Sequence, residues 1–343
     1  MKRITYLLVG LGLSLQAFPA FPADKEIKLS GYAEWRSGQV LLVDGQRVLP
    51  SEDVRFKGEG RARSFAAIPL GYEVKVEGVR LSDGTVLARK IEAKPNGNAF
   101  YEGSIRAGAD AMEAEFRRHR RVAEYDEWGR EVWSFGELLE SGPEVARARR
   151  IAGRLIPPYL EEEAFRVYVV DSREWNAMAA PNGSIFVFSG LLRDMDDDEV
   201  AIVLGHELAH ATHEHSRRSF KKSMLVSLLG MGAEAAANTI DRDGARIAAK
   251  AGIYAGTLAW INGYGRSAED QADRVGLRYA YQGGFDVRKG PSLWQKFAAK
   301  YRGLPKAVNF FLGGHSVAKD RAKNLEEQIR YNYSGDTVAL ARE

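Results

Sequence analysis

The sequence predicts an α+β chain, with a small antiparallel β-barrel first and a mainly α-helical region with a short sheet after it. Three observations predict this. Residues 24–98 hold five short runs rich in β-branched and aromatic residues, separated by glycine turns. The rest holds longer apolar stretches at helical spacing. Between them, Lys94-Pro-Asn-Gly-Asn98 is a turn-forming segment that marks a boundary. A length of 343 residues accommodates both parts. The division expected is 1–23, 24–98 and 99–343.

Residues 1–23 read as a leader. Lys2 and Arg3 precede an apolar run over 4–15, and small residues at Ala20 and Ala23 come before the charged Asp24. This order is that of a secretory signal peptide cut after Ala23, and the apolar run is too short for the roughly 20 residues of a membrane span. The location implied is the periplasm or the exterior. Cysteine is absent from the chain, so there is no lipobox thiol for an acyl anchor and no thiolate to bind a metal.

The five strand-like runs are 27–35, 39–43, 54–56, 72–79 and 86–91, with turns at Asp44-Gly45 and Ser82-Asp83-Gly84. Tyr72, Val74 and Val76 alternate as a half-buried strand does. Five such strands suit an OB-like barrel, a fold that binds oligosaccharide, nucleic acid or protein and does not by itself select among them. No ladder of interleaved aromatic and basic residues is present, which favours a docking or spacer role. Losing Lys2 and Arg3 with the leader lowers the formal charge of +3 by two, and a nearly neutral protein is not built for nucleic acid. The cluster Arg117-Arg-His-Arg-Arg121 lies among acidic residues and reads as a solvated helix face.

From 99 to 175 the pattern is helical, most clearly at 143–155, and it leads into a strand at 166–170. Ser184-Ile-Phe-Val-Phe188, after the turn Pro181-Asn-Gly183, is a short strand whose exposed edge would accept an extended peptide by backbone hydrogen bonds.

The chemistry is carried by His206-Glu207-Leu208-Ala209-His210. Imidazoles four residues apart on a helix lie on one face, one turn from each other, so both reach a single zinc ion. Glu207 stands where a general base for a metal-activated water belongs. The apolar Val200, Ile202, Val203, Leu204 and Leu208 make this a buried helix, where ionisable groups are costly without a use. A third histidine ligand on the same helix is excluded in one common arrangement, because His213 and Ser216 occupy the positions of its glycine and histidine. His213 is also nearly collinear with the first two and makes a poor tetrahedron. Downstream, Glu269 and Asp273 are four apart on a second helical stretch. One carboxylate there can bind a metal while the other accepts the free N–H of a ligating histidine.

These motifs together resemble the gluzincin-type zinc metallopeptidase family of HtpX, the CAAX prenyl protease, Oma, BepA and LoiP. The resemblance covers roughly residues 140–330. It rests on the segment from Asn176 through Val187 to Gly190, on His206 to His210 with Gly205 before and His215 after, on Glu269 and Asp273 with Arg266 and Gly276, and on Gly314-His315 followed by Arg321. Gly314 and Ser316 depart from the family's Thr and Pro on either side of that histidine. The resemblance implies one zinc ion per chain held by His206, His210 and Glu269, with Glu207 as base, Asp273 orienting a ligand, and His315 and Arg321 assisting at the oxyanion side. The function expected is a periplasmic or secreted zinc endopeptidase acting on proteins or peptides, including misfolded envelope proteins. Two other readings are an envelope chaperone or assembly factor whose metal site rarely cuts, and a carbohydrate-binding protein led by the barrel. The apolar tracts at 224–233 and 245–260 suggest a buried helical hairpin over the site, with peripheral membrane contact through 224–260 as the second reading. Nothing in the sequence sets an oligomeric state.

Overall fold

The computed structural model describes residues 25–95, 99–125, 128–156, 165–213, 215, 266–301 and 318–333. The leader, the tracts at 224–260 and His315 lie outside these residues.

The N-terminal part is a closed barrel of β1 (Lys25–Ser37), β2 (Val40–Val43), β3 (Gln46–Gly58), β4 (Glu73–Arg80) and β5 (Val86–Lys94), in the order β1-β2-β3-β5-β4, with β4 returning to β1. The Asp44-Gly45 turn has φ of 50° and 75°. Positive φ at both positions matches the twist of a two-residue hairpin, and it explains the Asp-Gly pair between β2 and β3. The barrel departs from the sequence expectation in two ways. Closure uses a parallel pairing of β3 with β5, so the barrel is not wholly antiparallel. Its third strand runs from Gln46 to Gly58 rather than over 54–56, because Pro50 and the irregularity before Arg55 interrupt the alternation without ending the strand. Leu41, Val43, Val48, Val74, Val76, Val86 and Ile91 pack together in the interior.

Helix α1 (Ala99–His119) leads into a hairpin of β6 (Arg121–Tyr125) and β7 (Glu131–Leu139). Helix was expected throughout this stretch. The hairpin was hidden by its many charges and by two register irregularities, which together erase the strand alternation. After α2 (Pro143–Leu155) come β8 (Arg166–Asp171), β9 (Ala177–Ala179) and β10 (Ser184–Phe188), which join the hairpin in a sheet of order β6-β7-β8-β10-β9.

In this sheet β10 lies between β8, to which it is parallel, and β9, to which it is antiparallel. It is therefore not the edge strand expected from the sequence. Ile185 and Val187 pack on α2 and on α4 (Asp197–Thr212), while Phe186 and Phe188 pack on the opposite side with Phe116 of α1. A strand buried on both faces reads as a continuous apolar run, and such a run does not reveal which neighbour lies beyond it. The edge is β9. Short helix α3 (Ser189–Asp194) follows β10, and α5 (Arg266–Gln282), α6 (Gly290–Lys300) and α7 (Ala318–Asn332) complete the described fold. Among the described residues no helix is long and apolar enough to cross a membrane.

Candidate metal centre

Helix α4 is started firmly. The Asp196 carboxylate accepts from the backbone N–H groups of Asp198 and Glu199, and the Glu199 side chain accepts from that of Asp196, which makes a reciprocal cap. From there Val200, Ile202, Val203, Leu204 and Leu208 bury the helix in the main core and hold its ionisable residues in the interior.

Helix α5 crosses α4 at two glycines. A Cβ built on Gly205 would stand 2.6 Å from the carbonyl oxygen of Gly276, and one on Gly276 would stand 2.6 Å from the backbone nitrogen of His206. Neither glycine has room for a side chain, so the two backbones touch. Asp273 and Glu269 lie one and two turns earlier along α5, and this contact carries them against the histidines.

The result is a compact donor set. His206 Nε2 and His210 Nε2 are 2.9 Å apart, and Glu269 oxygens lie 3.4 Å from the first and 3.5 Å from the second. All three residues are buried, and their donor atoms fall within 4.8 Å of one another. Ligands at about 2.0–2.1 Å from a tetrahedral ion stand roughly 3.3 Å from each other, so these spacings fit such an ion. The electrostatics fit as well. Burial and the Arg321 charge pull the His206 imidazolium down, yet Asp273 and Glu269 outweigh them and raise it to about 9. A pocket that favours positive charge at this ring suits a cation.

Asp273 Oδ1 lies 2.9 Å from His206 Nδ1, which turns Nε2 toward His210 and Glu269. Burial alone would raise Asp273, but Arg321 and His206 outweigh it and hold it below the ordinary carboxylate range. Arg321 is fully buried, stands over the Trp294 ring at 3.5 Å, and donates to Asp273 from both Nε and Nη2. The sequence reading put Arg321 at the oxyanion side. In the structure it sits on the Asp273 side of His206, its guanidinium bound to a carboxylate.

Glu207 is buried next to the donor set, and burial pushes its carboxyl up to about 8, with His206 opposing the rise and Glu269 adding to it. It accepts a hydrogen bond from the backbone of Ala179 on β9, while its Oε1 has no hydrogen-bond partner among the described residues. An acceptor held at one oxygen and open at the other is poised to move a proton. His213 caps the C-terminus of α4, bonds to Thr212 through Nδ1 and stands outside the donor set.

Sequence reasoning missed several members of this neighbourhood: Trp294, Gln271 and Glu34. None carries a spacing signal, because each reaches the site from a different element. Only Gln271, between Glu269 and Asp273, was close enough in sequence to be suspected.

Two helices locked together by glycine, with a buried glutamate beside the first histidine, present the donor arrangement of the His-Glu-x-x-His class. The chain belongs to peptidase family M48, whose description it matches over residues 147–329. It is similar to "Metalloendopeptidase OMA1, mitochondrial" of Bos taurus, 31% identical over 228 residues that make up 60% of this chain and 41% of the relative. It is also similar to the "Beta-barrel assembly-enhancing protease" of Yersinia pestis, 30% identical over 172 residues, 48% of this chain and 35% of the relative. The chain thus spans about two fifths, or less, of the length of these relatives.

Proposed function

We propose that this protein is a zinc-dependent endopeptidase that hydrolyses peptide bonds in proteins. The observation that carries the reading is the meeting of His206, His210 and Glu269 at ligand spacing with the buried carboxyl of Glu207 beside them. These three residues would hold the metal. Bound there, zinc would supply Lewis acidity toward a water and a peptide carbonyl. Glu207 would take the water's proton at its open oxygen and hand it to the leaving amine. Asp273, gripped by Arg321, would keep the His206 proton on Nδ1. His315 remains the proposed oxyanion-side group. An extended substrate would lie along β9, the edge strand that donates to Glu207, and would be read through its backbone more than its side chains.

We also propose that the protein acts outside the cytoplasm, in the periplasm or beyond the cell, on envelope proteins that have misfolded. The basic, apolar and small-residue order of 1–23 supports export, and mass spectrometry finding Asp24 as the mature N-terminus would support it directly. The test of the activity is zinc content and casein cleavage for wild type, Glu207→Gln and Glu269→Ala. One zinc per chain in the first two with cleavage by wild type alone is expected. Full zinc retention by Glu269→Ala would overturn the third-ligand assignment.

A further inference from the structure

The barrel reaches the candidate metal site through a line of hydrogen bonds. Glu34 lies on β1 at the point where pairing with β2 slips, between the pairs Ala33 with Val43 and Trp35 with Leu42. Such a bulge turns one side chain away from its normal side. Here it lets Ala33 stay in the barrel core while Glu34, fully buried, faces α5. On that helix Gln271, Arg274 and Arg278 form one stripe at helical spacing. Arg274 Nη2 donates to Glu34 Oε1 at 2.6 Å, Gly45 N–H donates to its Oε2 at 3.0 Å, and Arg278 stacks on the neighbouring Trp35.

Gln271 continues the line inward. Its Nε2 lies 2.9 Å from Glu34 Oε1, its Oε1 lies 2.9 Å from His215 Nε2, and His215 Nδ1 lies 2.7 Å from Nδ1 of His210. The polarity of this chain follows from its outer end. A carboxylate paired with arginine only accepts, so Gln271 must present its amide nitrogen to Glu34 and its oxygen to His215. His215 then carries its proton on Nε2 and, as a neutral ring, accepts at Nδ1. The proton between the two imidazoles therefore belongs to His210 Nδ1, and the lone pair of His210 falls on Nε2, the atom in the donor set.

We propose that Glu34 is a positioning residue of the metal centre, which fixes the tautomer of His210 through Gln271 and His215. His206 gets its orientation from Asp273 on α5; His210 gets the same service from the barrel, 237 residues away in sequence from Gln271. The inference rests on the metal-site reading above. It makes the barrel part of the catalytic apparatus rather than a spacer.

The test is titration of the full-length protein with Co2+ alone, following the ligand-field bands and the affinity in competition with a chelator. Removing an outer-shell partner typically weakens metal binding about 10–100-fold, and Glu34→Ala and Gln271→Leu are each expected to fall about tenfold with altered bands. The exchange Glu34→Gln with Gln271→Glu keeps the same polarity, the amide now donating from the barrel, and should restore most of the affinity that Gln271→Glu alone loses. Trp35→Ala loosens the docking without touching the line and should bind cobalt as wild type does. Far-UV circular dichroism establishes that each variant is folded. If folded Glu34→Ala and Gln271→Leu bind within twofold of wild type, or if Trp35→Ala weakens binding as much as they do, the relay is wrong while the metal site stands. Absence of ligand-field bands in wild type would overturn the metal-site reading and the relay together.

Discussion

The barrel and the helix pair α4 and α5 are both well-buried cores, yet they are held by different forces. The barrel core is packed from apolar groups such as Leu41, Val76 and Ile91, and the buried Glu34 of β1 faces away from it toward α5. Between the helices the buried residues include His206, Glu207, His210, Glu269, Asp273 and Arg321. Apolar burial stabilises whatever the pH or the metal content. Buried charges do so only when each is matched, since an unmatched one costs several kcal/mol. One core is apolar, and the other gathers buried ionisable groups that include a donor set able to hold a metal ion.

This contrast can be broken or sharpened by measurement. The largest effect expected is on catalysis, where Glu207→Gln should cut turnover by about 10²–10⁴-fold with zinc content unchanged, since the proton carrier is lost and no ligand is. Cleavage at the wild-type rate would deny Glu207 its role. Next, Arg321→Leu leaves Asp273 buried without its guanidinium and should lower stability by about 3–5 kcal/mol in urea melts, with metal affinity falling alongside. An unaffected metal affinity would separate Asp273 from the centre. Leu41→Ala in the barrel should cost a similar or smaller amount, about 2–5 kcal/mol, but leave cobalt bands as they are in the folded protein. Changed bands would mean that the two cores are not as distinct as their composition implies.

Gly276→Ala is a smaller perturbation of about 1–3 kcal/mol, because a methyl group there forces two backbones apart. Its signature should be metal loss out of proportion to the stability change. The smallest effect concerns acid. Glu113 on α1 is buried, which opposes its charge, but hydrogen bonds from Arg166, Ser184 and Tyr168 prevail and hold it at about 2 instead of 4.5. With the folded value depressed, its contribution is fully present above about pH 4.5 and disappears as the pH falls through about 2. Thermal melts across that window should converge for wild type and Glu113→Gln; parallel curves would remove the argument.

Legibility in the sequence followed the same divide between local and distant causes. The candidate donors of α4 were readable because His206 and His210 are four residues apart, and Glu269 with Asp273 for the same reason. The barrel was readable where turns are marked, at Asp44-Gly45 and Ser82-Asp83-Gly84, and blurred where Pro50 and a slipped register interrupt β3. The β6–β7 hairpin was lost beneath its charges. β10 was taken for an edge because a strand covered on both faces has no alternation to show which side is open. Gln271 and Glu34 could not be paired from sequence at all, since a bulge in one element and a helix face in another bring them together.

The contact of Gly205 with Gly276 has one more consequence. With no side chain between α4 and α5 at the crossing, the separation of the two helices is set by peptide groups alone, whose dimensions do not vary with sequence. Core residues around them can change size and repack, and the interval from His206 to Glu269 will not follow. The glycines act as a fixed gauge, insulating the geometry of the centre from the drift of its surroundings.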